Sequence, residues 1–78
     1  QGNAEAQNNL AVSYATGKGL IQDYVMAHMW WNLANANGNE NGGINRDRIA
    51  EDMTNADIEK AVAMAQECFN SVYAKCGY

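Results

Sequence analysis

Large aliphatic side chains are scarce: Leu, Ile, Val and Phe together fill only 12 of 78 positions. A share that low would point to disorder if the net charge were high, but the formal charge is a modest −4. Cationic residues are scarce as well, five Lys and Arg against nine acidic residues. The surface therefore lacks the positive stripe that follows a phosphate backbone or an anionic bilayer, and no nucleic acid is expected as a partner. No apolar run approaches the ~20 residues that span a bilayer, so no membrane insertion is expected, and no basic-then-apolar leader opens the chain. What fills the gap is alanine, 13 residues of it, with two Trp, four Tyr and four Met. Backbones brought close over small residues, with a few large side chains wedged between them, describe an all-α core, and the length allows one domain.

Along the chain the apolar spacing is helical. Ala6, Leu10, Ala11 and Tyr14 share one face of a first helix, with Asn3 as its N-cap and Glu5 in the first turn. Gly17-Lys18-Gly19 supplies residues that tolerate a positive φ and turns the chain. Asp23 caps a second helix that is apolar nearly all round; its polar residues His28, Asn32 and Asn35 form one narrow stripe expected to face water. Such a helix needs neighbours on at least two sides. A third helix opens poorly, with Gly42-Gly43 in a first turn expected to be frayed or bent. Thr54-Asn55-Ala56-Asp57 resembles a capping box, and the stripe Ile58, Ala61, Val62, Ala65, Phe69, Val72 and Tyr73 follows it. The expectation is about four helices near 4–16, 23–37, 42–53 and 55–75, with 1–38 and 39–78 forming two helix pairs of one domain. Gln1-Gly2-Asn3 is echoed by Asn37-Gly38-Asn39 and Asn9 by Asn45, a faint repeat at the period of two-helix solenoid units.

Ala6-Gln7, Leu10, Tyr14, Gly17-Lys18-Gly19, Gln22-Asp23-Tyr24, Ala27, Trp30-Trp31, Ala34 and Gly38 together resemble the Sel1-like repeat, a relative of the tetratricopeptide repeat. The likeness covers one complete repeat, about residues 4–38; Asn45-Arg46-Asp47, Ala50 and the residues from Met53-Thr54 onward resemble the terminal unit of some bacterial members. Ala11 stands where the family prefers Gly, Ile21 where it often has Pro, and Gly42-Gly43 where an Ala pair is usual. The resemblance implies an antiparallel helix-turn-helix α/α solenoid acting without catalysis, as a protein-interaction or scaffolding module for a protein or peptide partner. First helices of successive units then line a concave face, which here would present Glu5, Asn8, Asn9 and Val12, with Arg48 and Glu51 from the third helix. Family members in bacteria are frequently exported, so a periplasmic or secreted location is the corresponding expectation. Solenoids normally stack three or more repeats, so self-association through an exposed end, or a role as the C-terminal cap of a longer solenoid, belongs to the same reading.

The residues with chemical capacity each have a bland role open to them. His28 has no Cys or second His at ligand spacing and is expected to be a solvated or surface-bonded histidine, neither metal ligand nor general base. Ser13, Ser71, Thr16 and Thr54 have no companion that would activate a nucleophile, and Gly17-Lys18-Gly19 lacks the strand before and the Lys-Ser/Thr after that a phosphate loop needs. Glu51, Asp52, Asp57 and Glu59 flank a helix start, where acidic residues are favoured anyway. No catalytic residue, cofactor or metal is expected. Some cysteine-rich relatives are described as binding or slowly hydrolysing β-lactams, which keeps small-molecule binding or weak hydrolysis as an alternative. Eight residues of continuous helix would hold the Cα atoms of Cys68 and Cys76 about 12 Å apart, against the about 4.4–6.8 Å of a disulfide, so free thiols are expected unless the helix breaks before Cys76, a break that Gly77 makes possible. Met26, Met29, Trp30 and Trp31 are read as core before they are read as a binding stripe.

Overall fold

Every helix in the computed structural model of the chain, which describes residues 3–71 and 76, begins at a side-chain oxygen that accepts the backbone N–H three residues on. Asn3 Oδ1 accepts from Ala6 at 2.9 Å, Asp23 Oδ1 from Met26 at 3.1 Å, Asn39 Oδ1 from Gly42 at 3.0 Å and Thr54 Oγ1 from Asp57 at 3.1 Å. Each bond satisfies one of the orphan donors of a first turn. The elements are α1 (Ala4–Thr16), α2 (Tyr24–Ala36), α3 (Glu40–Ala50) and α4 (Asn55–Asn70), and no strand occurs among the described residues. The fold is all-α.

The turn between α1 and α2 closes as its glycines require. Gly17 takes φ 76° and its N–H donates to Ser13 O, ending α1 in a left-handed cap. Asp23 N–H then donates to Tyr14 O at 2.9 Å, and Gln22 Nε2 donates to Ala15 O at 2.8 Å. At the opposite end of the pair Asn37 Nδ2 donates to Gln7 Oε1 at 3.0 Å. Bonds at both ends make α1 and α2 antiparallel, and Ala11 and Ala27, both without exposed surface, let them lie close.

The core belongs to α2. It packs against α1, α3 and α4 alike, whereas direct packing of the other three on one another is slight. Met26, Ala27, His28, Met29, Trp30, Trp31, Leu33 and Ala34 are all buried, which explains a helix that is apolar nearly all round and bears out the reading of its Trp and Met residues as core.

Several expectations are corrected. The α1 face is rotated: Gln7 and Ala11 are buried while Ala6 is exposed, because the bond to Asn37 compensates the Gln7 amide. Leu20 and Ile21, apolar residues in an otherwise polar turn that would be expected to cover the end of the pair, are instead 38 % and 91 % exposed. The third helix starts at Glu40 and stops at Ala50 instead of running 42–53. Gly42 and Gly43 are a docking surface, not a frayed end: a Cβ on Gly42 would meet Trp31 O at 2.8 Å and Ala34 Cβ at 2.9 Å, so α3 rests directly on the backbone of α2. The fourth helix ends at Asn70, with Ser71 N–H donating to Glu67 O and Ser71 Oγ to Cys68 O; the expected continuation over 72–75 lies outside the described residues. Because the described helix stops there, the premise of a rigid 12 Å separation fails. Cys68 and Cys76, both buried, form a disulfide with their Cα atoms 4.5 Å apart, and the expectation of free thiols is overturned.

Candidate functional site

Two helices resting side by side on a third leave a furrow between them, and α1 and α3 leave one over the N-terminal half of α2. Tyr24 and Trp31 from α2 line it, with Ala15 from α1 on one side and Asn45, Arg48 and Ile49 from α3, continued by Asp52, on the other. The furrow is open to solvent, with a volume of about 260 Å³. Trp31 is 6 % exposed, so it shows only a sliver of its ring; Tyr24, Arg48 and Asp52 are exposed and reach the opening. Helical spacing explains the α3 wall, since Asn45, Arg48, Ile49 and Asp52 stand three, four and seven apart on one face. Arg48 has no ion-pair or hydrogen-bond partner among the described residues, whereas Arg46 is held by Asp47 at 3.0 Å and by Asn32 Oδ1 at 2.8 Å.

Of the residues assigned to a concave face, Arg48 lines this cleft. Asn8 and Val12 precede Ala15 at helical spacing and so continue the same flank of α1, Asn8 half-buried and Val12 exposed; Glu5 extends it toward the start of the helix and is exposed. Asn9 is exposed one position further round, where its carbonyl accepts from Ser13 Oγ at 3.3 Å. Glu51 caps α3 and is exposed outside the cleft. Tyr24, Asn45, Ile49 and Asp52 were not singled out as binding residues. The signal for the last three lies in their spacing with Arg48; nothing in the spacing marks Tyr24, the first residue of α2.

A second groove, of about 160 Å³, lies between α2 and α4, lined by Asn32, Leu33, Ala36, Val62, Ala65, Gln66 and Phe69. Val62 and Phe69, placed on the buried stripe by the sequence pattern, are instead 44 % and 51 % exposed, and the inward face of α4 is Ala61, Ala65 and Cys68.

The polar stripe of α2 also has a different place from the one expected. His28 is 3 % exposed, not solvated. Its imidazole makes no hydrogen bond among the described residues. Burial pushes its pKa below the ordinary 6.5, and the Arg46 guanidinium acts in the same direction, while the Asp47 carboxylate opposes them. Together with the Arg46–Asn32 bond, this places His28 and Asn32 in the seam beneath α3, while Asn35, at its edge beside Gly43, keeps the exposure expected of it. Comparison with known proteins finds no matching family model, no similar curated protein and no similar solved structure.

The remaining groups do local work. Ser13 Oγ and Thr16 Oγ1 donate to the carbonyls four residues back, and Thr54 is a cap. No group of three or more His, Cys, Asp or Glu residues able to hold a metal occurs among the described residues. None of their helices is long and apolar enough to cross a membrane.

Proposed function

We propose that the chain is a non-enzymatic helical interaction module of the Sel1-like kind, which takes a peptide segment of a partner protein in the cleft between α1 and α3. The observation that carries the reading is the make-up of that cleft: an aromatic floor from Tyr24 and Trp31 under a wall bearing an amide, a guanidinium and a carboxylate. Aromatic anchors ringed by hydrogen-bonding groups are the usual composition of a peptide-binding surface. Size favours this reading over the small-molecule alternative, because about 260 Å³ falls below the about 300–1,000 Å³ of sites that engulf a drug-sized ligand. It is the volume of a side chain or two, offered by a partner whose remaining contacts run along the flanks of α1 and α3. The sequence likeness over residues 4–38 points the same way. A buried disulfide suits an oxidising compartment, which agrees with the exported location that the resemblance implies.

The test is selection of a displayed random-peptide library on the folded chain, with Trp fluorescence as a direct readout of occupancy. Peptides that bind should lose affinity at least about tenfold, about 1.4 kcal/mol, on Arg48→Glu and on Tyr24→Ala, and Val12→Glu should cost less. Enriched peptides indifferent to both Arg48→Glu and Tyr24→Ala would move the site elsewhere.

A further inference from the structure

We propose that His28 is a pH-sensitive latch that holds α3 on α2 while its imidazole is neutral and releases α3 when it takes up a proton. The geometry is that of a buried, unpartnered base in a polar seam. His28 sits on the α2 face covered by α3, 3 % exposed and without a hydrogen bond among the described residues. One turn further along α2, Asn32 is tied to Arg46. A proton on the imidazole would create a cation whose Nδ1 is shut off from water and has no acceptor, beside the guanidinium already fixed there. The charges that act on it come from α3: Arg46 repels the imidazolium and Asp47, itself engaged by Arg46, attracts it. The charged residues of α1 and α4, namely Glu5, Asp57, Glu59, Lys60 and Glu67, are all exposed, the phenol of Tyr14 in α1 is half-buried, and none of them is among those charges. No carboxylate from another element offsets the new charge.

Movement of α3 is the cheapest relief. Its one buried apolar side chain is Ile49, whereas α1 adds the half-buried Leu10, Tyr14 and Ala15 to Ala11, and α4 adds Met64 to Ala61, Ala65 and Cys68; α3 therefore forfeits the least apolar burial on lifting, while His28 gains water. Because α3 also carries the wall Asn45, Arg48 and Ile49, release would dismantle the cleft whatever the cleft binds; the latch itself rests on packing and does not depend on the peptide reading.

Amide hydrogen exchange followed by NMR from about pH 8 to about pH 5, with intrinsic rates removed, tests it. Protection of the α3 amides should fall severalfold as the His28 ring resonances titrate, protection in α2 should hold, and His28→Gln should abolish the response. Loss of protection in all four helices together, or an α3 response that survives in His28→Gln, would overturn the latch. If His28→Gln does not fold, the wild-type chain decides: ring titration and α3 release must share one midpoint, and separate midpoints refute the coupling.

Discussion

At the scale of single residues, His28 and the cysteine pair carry the consequences. The folded-state pKa of His28 lies below the 6.5 of an unfolded chain, so the unfolded state binds the proton more readily. The stability this residue supports is complete above pH 6.5 and is lost as pH falls from there through the folded-state value. Urea unfolding at a series of pH values should therefore show a decline below pH 6.5 that is shallower in His28→Gln, the difference isolating the imidazole from the carboxylates. Parallel curves for the two proteins would mean that burial leaves the imidazole untouched. The disulfide acts on the other side of the equilibrium, closing a loop over a sequence separation of eight. Loop-closure entropy makes such a bond worth about 2–3 kcal/mol, so Cys68→Ala/Cys76→Ala, or reduction of the wild type, should lower the unfolding free energy by that amount; a wild-type midpoint unmoved by reductant would show that α4 needs no tether.

The element scale separates what was legible in the sequence from what was not. Caps are local, and Asn3, Asp23 and Thr54 were identifiable because each stands three residues before the N–H it accepts. The choice of docking face is not local. Nothing in the spacing of His28, Asn32 and Asn35 tells a stripe facing water from one facing a polar helix, and only the position of α3 resolves it. For the same reason Gly42-Gly43 read as a helix defect, since the cost of glycine in a helix is intrinsic and its benefit lies in the partner backbone. The cleft was legible by one residue, Arg48, and its aromatic floor was hidden because Trp31 serves core and cleft at once. These two glycines make a paired prediction. In an exposed helix Gly→Ala stabilises by about 0.5–1 kcal/mol. Gly42→Ala should reverse that sign, because its Cβ would meet the Trp31 carbonyl and Asn35 N, rigid backbone that cannot step aside; overpacking of this kind costs about 1–3 kcal/mol. At Gly43 the nearest atom is the Asn35 Oδ1 at 2.6 Å, the tip of an exposed side chain that can swing away. Gly43→Ala should be neutral or stabilising in a thermal melt. Equal losses from both would mean that α3 and α2 are not in backbone contact.

For the whole molecule the decisive feature is that α2 is a hub. In a solenoid each unit leans on the next, and opening can begin at either end and propagate. Here α1, α3 and α4 each lean on α2 and hardly on one another, so an outer helix can leave without disturbing its peers, whereas loss of α2 leaves three helices with nothing to cover their apolar faces. Isolated helices of this length are marginal in water, so α2 can open only with the whole molecule. The outer three differ in what ties them down. α4 contributes Ala61, Ala65 and the disulfide-bonded Cys68, α1 contributes Ala11 and the Gln7–Asn37 bond, and α3 contributes Ile49 and a polar seam. Native-state hydrogen exchange at neutral pH should accordingly rank α2 highest, with protection matching the global unfolding free energy, α1 and α4 below it, and α3 lowest. The hub picture fails if amides in α2 exchange as readily as those in α3, because the central helix would then be opening through a state in which its neighbours remain folded.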